Sequence, residues 1–374
     1  MTSAPSPTIL QRILLAVVPV VVLCGAGEAG ARAYYYHIHH GDLRYLVIPF
    51  GSARTLHAQA EYPVAKSTYT KHDACSNREI TYTVNAQGGR GTDWTPAKPP
   101  GTMRLLAVGA STTFGVNNPD GATWPALLEE ELQRRARQRI EVLNGSQSSI
   151  TLNRILELLS TQWLAYHPDV VLYYEAYNDT PYTAFRDVDL AITRFHVQTW
   201  LGQWANRLYY RSMLYTYLVE KLHFHLAAKR RGLAPQLARY RTQLRQLIRL
   251  LRDHGVTPVF VLQLTQRSEE AVVRRLRLED EQEVQSFVQT ATQRHGSLPA
   301  DQLIGLRVYA TQLFVEAVRR EAEAAGVQVI DPRPAFAGSD AGLFCDEIHL
   351  TDAANRRLAQ QIAAALDVSR SATP

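Results

Sequence analysis

Four short stretches of this chain hold side chains that could cooperate in acyl chemistry. They are Ser111 within Gly109-Ala110-Ser111-Thr112-Thr113-Phe114-Gly115, the run Asn144-Gly145-Ser146, the pair Asn178-Asp179, and Asp346-Glu347-Ile348-His349. A serine hydroxyl is a poor nucleophile until a neighbouring base takes its proton in the transition state. An imidazole titrates near 6.5, so the ring at position 349 is suited to take that proton and return it to a leaving group. Asp346 precedes it by three residues and can accept from the other ring nitrogen, fixing the tautomer. On a loop entering a helix, this spacing brings both side chains to one side. Addition to a carbonyl creates an oxyanion. Its candidate donors are the N–H of Ser111, the N–H of Gly145 or of Ser146, and the side-chain amide of Asn178.

These residues need elements that bring them together. Arg104–Val108 is a short apolar run ending at Gly109, as a buried parallel strand would. Ile140–Leu143, Val170–Tyr174, Pro258–Leu262 and Val327–Ile330 repeat that character, with helical spacing over Trp124–Ala136, Leu152–Tyr166 and Ile304–Ala325. Alternating strand and helix predicts a parallel sheet covered on both faces. In such sheets ligands bind beyond the carboxyl ends of the strands. Each of the four stretches follows a predicted strand, so all fall on one edge.

The blocks closely resemble those of the SGNH (GDSL-like) hydrolase superfamily, in particular bacterial members with an amino-terminal membrane segment. The first block is Gly109-x-Ser111, the third Asn178-Asp179 and the fifth Asp346-x-x-His349. The stretch FCDEIHLTDAANRR over Phe344–Arg357 is the most specific match. The resemblance extends over roughly residues 80–365 and includes the glycine-rich Asn85–Gly91 turn. It implies a flavodoxin-like three-layer α/β/α sandwich with a central parallel sheet and helical inserts. It also implies Ser111, Asp346 and His349 as the catalytic residues. Two positions depart from the pattern: Ala110 stands where Asp is usual before the serine, and Ala176 where Gly usually opens the third block. The second block matches least, its glycine falling on Gly145 or, in the neighbouring register, on Ser146. A serine there would be strained if the position demanded a positive φ.

Simpler roles compete with these. Ser111 could be only a helix N-cap, Asn178-Asp179 turn formers before Pro181, and Asp346 and His349 caps of a helix beginning at Thr351-Asp352. Asp179 reads as structural and Glu347 as a surface residue. The aromatic residues Trp200, Trp204, Tyr209, Tyr210, Tyr215 and Tyr217 read as packing within a helical insert, or as a lid or glycan-stacking surface.

The first forty residues carry an address. Arg12 precedes an uncharged apolar run from Ile13 to Gly27 that contains Pro19. The run reads as a retained anchor, with Tyr34–Tyr36 at the outer headgroup level, or as the apolar part of a signal peptide cleaved near Ala29-Gly30-Ala31, with a buried core helix as the plainer alternative. Either targeting reading exports the rest, so residues 1–32 are taken as signal anchor or signal peptide. A β- and turn-rich lead-in over 33–100 and a hydrolase domain over 101–374 would follow, the latter with a helical insert at about 186–252 and a polar interruption over Ser268–Ser297. Cys75 and Cys345 would then meet oxidising conditions that permit a disulfide. Leu23 is too bulky for lipoprotein processing at Cys24.

Of 374 residues, 46% are hydrophobic and 20% charged, with a formal net charge of +5. That is ordinary globular composition, and its arginines read as solvated helix faces rather than a nucleic-acid footprint. His37, His39 and His40 lack a carboxylate or cysteine to complete a metal site, and no cofactor is expected. The sequence therefore points to a serine ester hydrolase without metal, anchored in the inner membrane with its catalytic domain periplasmic, or secreted after cleavage. Its partners would be the membrane and an ester-bearing substrate, such as an O-acetylated glycan or a lipid. The alternatives are an O-acyltransferase with the same residues and a non-catalytic glycan-binding scaffold.

Overall fold

In a computed structural model of the chain, the described residues are 8–38, 66–73, 75–180, 212–215, 217–218, 233–266, 300–337 and 342–366. The chain divides into two units, Met1–Ala60 with Ala191–Ala227, and Glu61–Leu190 with Ala228–Pro374.

In the first unit, helix α1 spans Ile9–Ile38. Within it Leu15–Tyr34 is long and apolar enough to cross a membrane, and only 6% of that window is buried. Leu15, Val18, Val21 and Leu23 all present exposed side chains. The helix runs about a turn and a half past residue 32, the expected end of the address segment. Near its far end Glu28 accepts from Arg32 at 3.0 Å and from the N–H groups of Met213 and Leu214 at 3.1 and 3.0 Å. Ala31 packs on Met213 beside these bonds. Of the predicted aromatic stripe, Tyr215 and Tyr217 belong to this unit; Trp200, Trp204, Tyr209 and Tyr210 lie outside the described residues.

The second unit carries five parallel strands. They are β3 (Thr102–Gly109), β4 (Arg139–Asn144), β5 (Val170–Tyr174), β6 (Thr257–Val261) and β7 (Gln328–Ile330), in the spatial order β4-β3-β5-β6-β7. An antiparallel hairpin, β1 (Ser67–Asp73) and β2 (Arg78–Val84), precedes them. Successive side chains of a strand face opposite ways, so β3 sends Leu106 and Val108 into one core and Leu105 and Ala107 into the other. Helices α4 (Leu152–Thr161), α5 (Leu233–Asp253) and α6 (Ala300–Ala324) cover the first face. Helices α3 (Trp124–Arg135) and α8 (Asp352–Ala365) cover the second, with Phe336 of the short α7 (Arg333–Phe336) packed among them. Trp163 and Trp124 are fully buried, one in each core. Each buried large side chain contributes about 1.5–3 kcal/mol. The result is the expected α/β/α sandwich.

Two expectations about organisation need correction. The insert reading of about 186–252 took in α5, yet Leu237, Tyr240, Leu244, Leu247, Ile248 and Leu251 form a buried stripe at 3.6-residue spacing. That helix is part of the sandwich; residues 181–211, 219–232 and the Ser268–Ser297 interruption lie outside the described residues. Nor does the unit begin at 101. Arg90 bridges Val84 on one side and Asn144, the last residue of β4, on the other. The lead-in is thereby joined to the sheet.

Candidate active site

The site forms where β3 and β5 end side by side, with Gly109 paired to Tyr174. After Gly109 the chain turns into α2 (Ser111–Phe114), a single helical turn with Ser111 at its start. Gly109 is required by closeness: a Cβ there would stand 2.4 Å from the Tyr174 carbonyl oxygen and 2.2 Å from Thr113 Oγ1. Gly115 ends the turn at φ 76°, a left-handed conformation that glycine adopts without strain. The N-cap of α2 is Ala110, so the capping role for Ser111 does not hold.

The short turn is held from four directions. Asn144 Nδ2 donates to the Thr113 carbonyl at 3.0 Å, and Thr113 Oγ1 to the Tyr174 carbonyl at 3.2 Å. Gln263, 1% exposed beyond β6, accepts the N–H groups of Ala176 and Tyr177 at 2.7 and 2.9 Å and donates to Thr112 Oγ1 at 3.3 Å. Arg90 lies beneath, 4% exposed, donating to the carbonyls of Phe114 (2.7 Å), Gly115 (2.9 Å) and Asn118 and to Asp120 Oδ1 (2.6 Å). Its guanidinium is flanked by the rings of Tyr82 and Phe114, 4.7 and 4.9 Å from their centroids.

Across from this turn, the loop before α8 brings in the other two groups. His349 Nε2 lies 2.8 Å from Ser111 Oγ, and its Nδ1 lies 2.6 Å from Asp346 Oδ2. Asp346 Oδ1 meanwhile accepts the N–H groups of Ile348 and His349 at 2.9 and 2.8 Å. Burial raises the Asp346 pKa, but the ring bond and charge of His349 and these two N–H groups outweigh it, leaving it below the usual value. An ionised carboxylate only accepts, so Nδ1 carries the ring proton and Nε2 is left to accept from the hydroxyl. Helix α8 has its own cap, Thr351, whose Oγ1 accepts from Ala354 N–H. Capping is therefore not what Asp346 and His349 do.

The predicted oxyanion donors separate. Gly145 N–H donates to the Ala107 carbonyl at 2.9 Å, extending the β3–β4 ladder, so it is not available to an oxyanion. Its glycine is explained by packing, since a Cβ would stand 2.7 Å from Leu106 Cδ1. Ser146 N–H faces Asn144 Oδ1 at 3.3 Å, and the positive φ feared for Ser146 falls instead on Ser149, at 61°. Ser111 N–H, at the start of its turn, has no intrahelical acceptor. Asn178 is buried after β5, its Nδ2 donating to the Ile150 carbonyl at 2.9 Å and its backbone N–H to Glu175 Oε1 at 2.8 Å. Asp179 accepts the N–H of Leu152 at 2.9 Å at the start of α4, the structural role read for it.

Glu347 is not simply a surface residue. It accepts from Tyr177 Oη at 2.6 Å and pairs with Arg307 at 3.7 Å, linking the loop after β5 to the one before α8. Arg90, Gln263 and the Tyr177–Glu347 bond went unread in the sequence. Only the glycine-rich stretch around Arg90 had marked a place of tight backbone. Cys75 and Cys345 form a disulfide with Cα atoms 5.2 Å apart.

A sequence model of the GDSL-like lipase/acylhydrolase family matches residues 107–357. Among solved structures, the chain is similar to a lipase/acylhydrolase from Enterococcus faecalis at 13% identity and a TM-score of 0.40, covering 70% of this chain and 94% of that one. It is similar also to Axe2, an acetylxylan esterase from Geobacillus stearothermophilus, at 15% identity and 0.39, covering 70% and 93%. A third is LAE5, an alpha/beta hydrolase enzyme from the metagenome of Lake Arreo, Spain, at 16% and 0.41, covering 70% and 94%. No curated protein matches. Since the family match spans well over half of the chain and includes every block of the site, the chain belongs to the GDSL-like lipase/acylhydrolase family and is an ester-bond hydrolase.

Proposed function

We propose that the chain is a serine esterase that works through an acyl-serine intermediate on O-acetylated polysaccharide outside the cytoplasm. Ser111 Oγ attacks the ester carbonyl as its proton passes to His349 Nε2, and a tetrahedral oxyanion forms. The imidazolium, steadied by Asp346, then gives that proton to the departing alkoxide as the carbon–oxygen bond breaks. Water adds to the acyl-serine by the same route, releasing the acid and restoring the hydroxyl. The proposed oxyanion donors are Ser111 N–H, the Asn178 amide hydrogen that Ile150 does not take, and Ser146 N–H on giving up its long 3.3 Å bond to Asn144. The single observation carrying this reading is the unbroken run from Ser111 Oγ through both ring nitrogens of His349 to Asp346, at 2.8 and 2.6 Å.

Two observations support a place outside the cytoplasm. One is the apolar segment Leu15–Tyr34, long enough to cross a membrane. The other is the Cys75–Cys345 disulfide, a bond that persists where conditions are oxidising. Export and the aromatic-rich sequence around 200–217 support a glycan ester as substrate.

The test is turnover of p-nitrophenyl acetate, and release of acetate from acetylated xylan, by the full chain and by Ser111→Ala. Labelling with a fluorophosphonate runs beside it. Turnover and labelling lost together in Ser111→Ala support the reading. Equal rates in both proteins would overturn it in favour of a binding role. Acetyl transfer to a sugar hydroxyl in place of acetate release would make the enzyme a transferase.

A further inference from the structure

The geometry points to the Cys75–Cys345 disulfide as a positioning element of the site, one that pins the loop carrying Asp346 and His349 to the β1–β2 hairpin and so keeps the imidazole within reach of Ser111. This rests on the roles proposed above for those three residues.

Cys345 is next to Asp346 in the chain, and its N–H donates to the His349 carbonyl at 2.7 Å. The disulfide is therefore attached to the short turn that sets both side chains. At its other end Cys75 sits in the turn between β1 and β2, where Asp73 accepts from the N–H of Ser76 at 2.8 Å. The hairpin is itself fixed to the nucleophile. Tyr82 and Val84 of β2 pack against Phe114 of α2, and Thr83 N–H donates to Asp120, the carboxylate that also holds Arg90. One hairpin thus touches the serine's helical turn along β2 and the histidine's loop through Cys75. The ion pair of Arg78 with Asp352, at the first residue of α8, repeats the link without a covalent bond. Ser111 and His349 lie 238 positions apart in the sequence. The hairpin is the element that spans between them.

A displacement of about 1 Å at a reacting pair can lower a rate on the order of a hundredfold. With Arg78–Asp352 and Tyr177–Glu347 still present, the loss on removing the disulfide should be smaller, about tenfold. The experiment compares the full chain with Cys75→Ser, Cys345→Ser and the double variant, at a temperature well below each unfolding midpoint. Active sites are counted by fluorophosphonate titration, so that turnover is expressed per reactive serine. The expected result is a full titre, kcat per site down about tenfold, KM for p-nitrophenyl acetate within about twofold, and a slower labelling rate constant. The double variant should be no worse than either single one. Reduction of the wild type with dithiothreitol should reproduce the loss, and reoxidation should reverse it.

Unchanged kcat per titrated site would overturn the proposal. So would a loss that lies wholly in the titre, since the disulfide would then only keep molecules folded. Ser111→Ala, assayed alongside, separates the two levels. If it is inactive while the cysteine variants match wild type, only the positioning role fails. If it turns over ester normally, the site itself is misassigned and this proposal falls with it.

Discussion

Removing the Arg90 guanidinium should cost the protein much of its stability, although the residue makes no contact with Ser111's hydroxyl. Arg90→Met keeps an unbranched apolar side chain, removes the guanidinium from beside the Tyr82 and Phe114 rings and deletes four hydrogen bonds. Asp120 is 39% exposed on its side chain and can rehydrate, and it keeps the Thr83 N–H. The carbonyls of Phe114 and Asn118 lose their donor in a buried place, while that of Gly115 keeps the Asn118 N–H at 3.0 Å. Each buried carbonyl left without a donor costs about 1–3 kcal/mol. Taking about 4 kcal/mol for the two, and about 2–4 °C per kcal/mol for a unit of this size, the midpoint should fall by roughly 8–16 °C. Arg90→Lys retains the charge and three donors but not the planar fork, and should lose about half as much. Urea unfolding followed by circular dichroism, extrapolated to water, measures both. A loss under about 1 kcal/mol for Arg90→Met would refute the reasoning, because the turn's carbonyls would then have been satisfied without the arginine.

Three further outcomes are expected. Asp346→Asn can donate to Nδ1 and so favours the tautomer whose Nε2 bears the proton; kcat should fall by about 10⁴ with the fold intact, checked by ester turnover and circular dichroism. Asn178→Ala should lower kcat by about 10²–10³ with little change in KM, if its amide meets the oxyanion. Glu175 is buried behind the site, and burial pushes its carboxyl up to about 8 against the N–H bonds of Asn178, Ala176 and Ala110. The folded chain therefore keeps a proton that the unfolded chain releases near the usual 4.5, so this group's contribution to stability declines as pH rises from there to about 8 and then levels off. Glu175→Gln should flatten that decline, read as urea midpoints at pH 5 and pH 8.5; parallel declines in both proteins would refute it.

What the sequence disclosed followed physical lines. Strands β3, β5 and β6 are buried on both faces, so they stand out as unbroken apolar runs, and the residues after them fall at one sheet edge by topology alone. Asp346 and His349 were legible because three residues suffice to set their relation. The hairpin strand β1, Ser67–Asp73, was not: STYTKHD has no apolar alternation, its outward residues being exposed and its pairing supplied by β2. Arg90 is one among 40 lysines and arginines, and nothing in its type marks it, or Arg104, as buried. Gly145 seemed a donor because its type fitted; only the ladder bond to Ala107 revealed its N–H as engaged. Helix α5 reads as part of one long helical interruption between β5 and β6, because its stripe of leucines needs a sheet to set it apart.

The distance in sequence between nucleophile and base also orders events at the ribosome. A nascent chain that has released its first three hundred residues can already present the serine hydroxyl, yet no imidazole is there to activate it. The ring rides on a segment whose helix must still dock before the geometry closes. Activation of the serine therefore waits on that docking, and a chain cut short of His349 would hold a hydroxyl without its base.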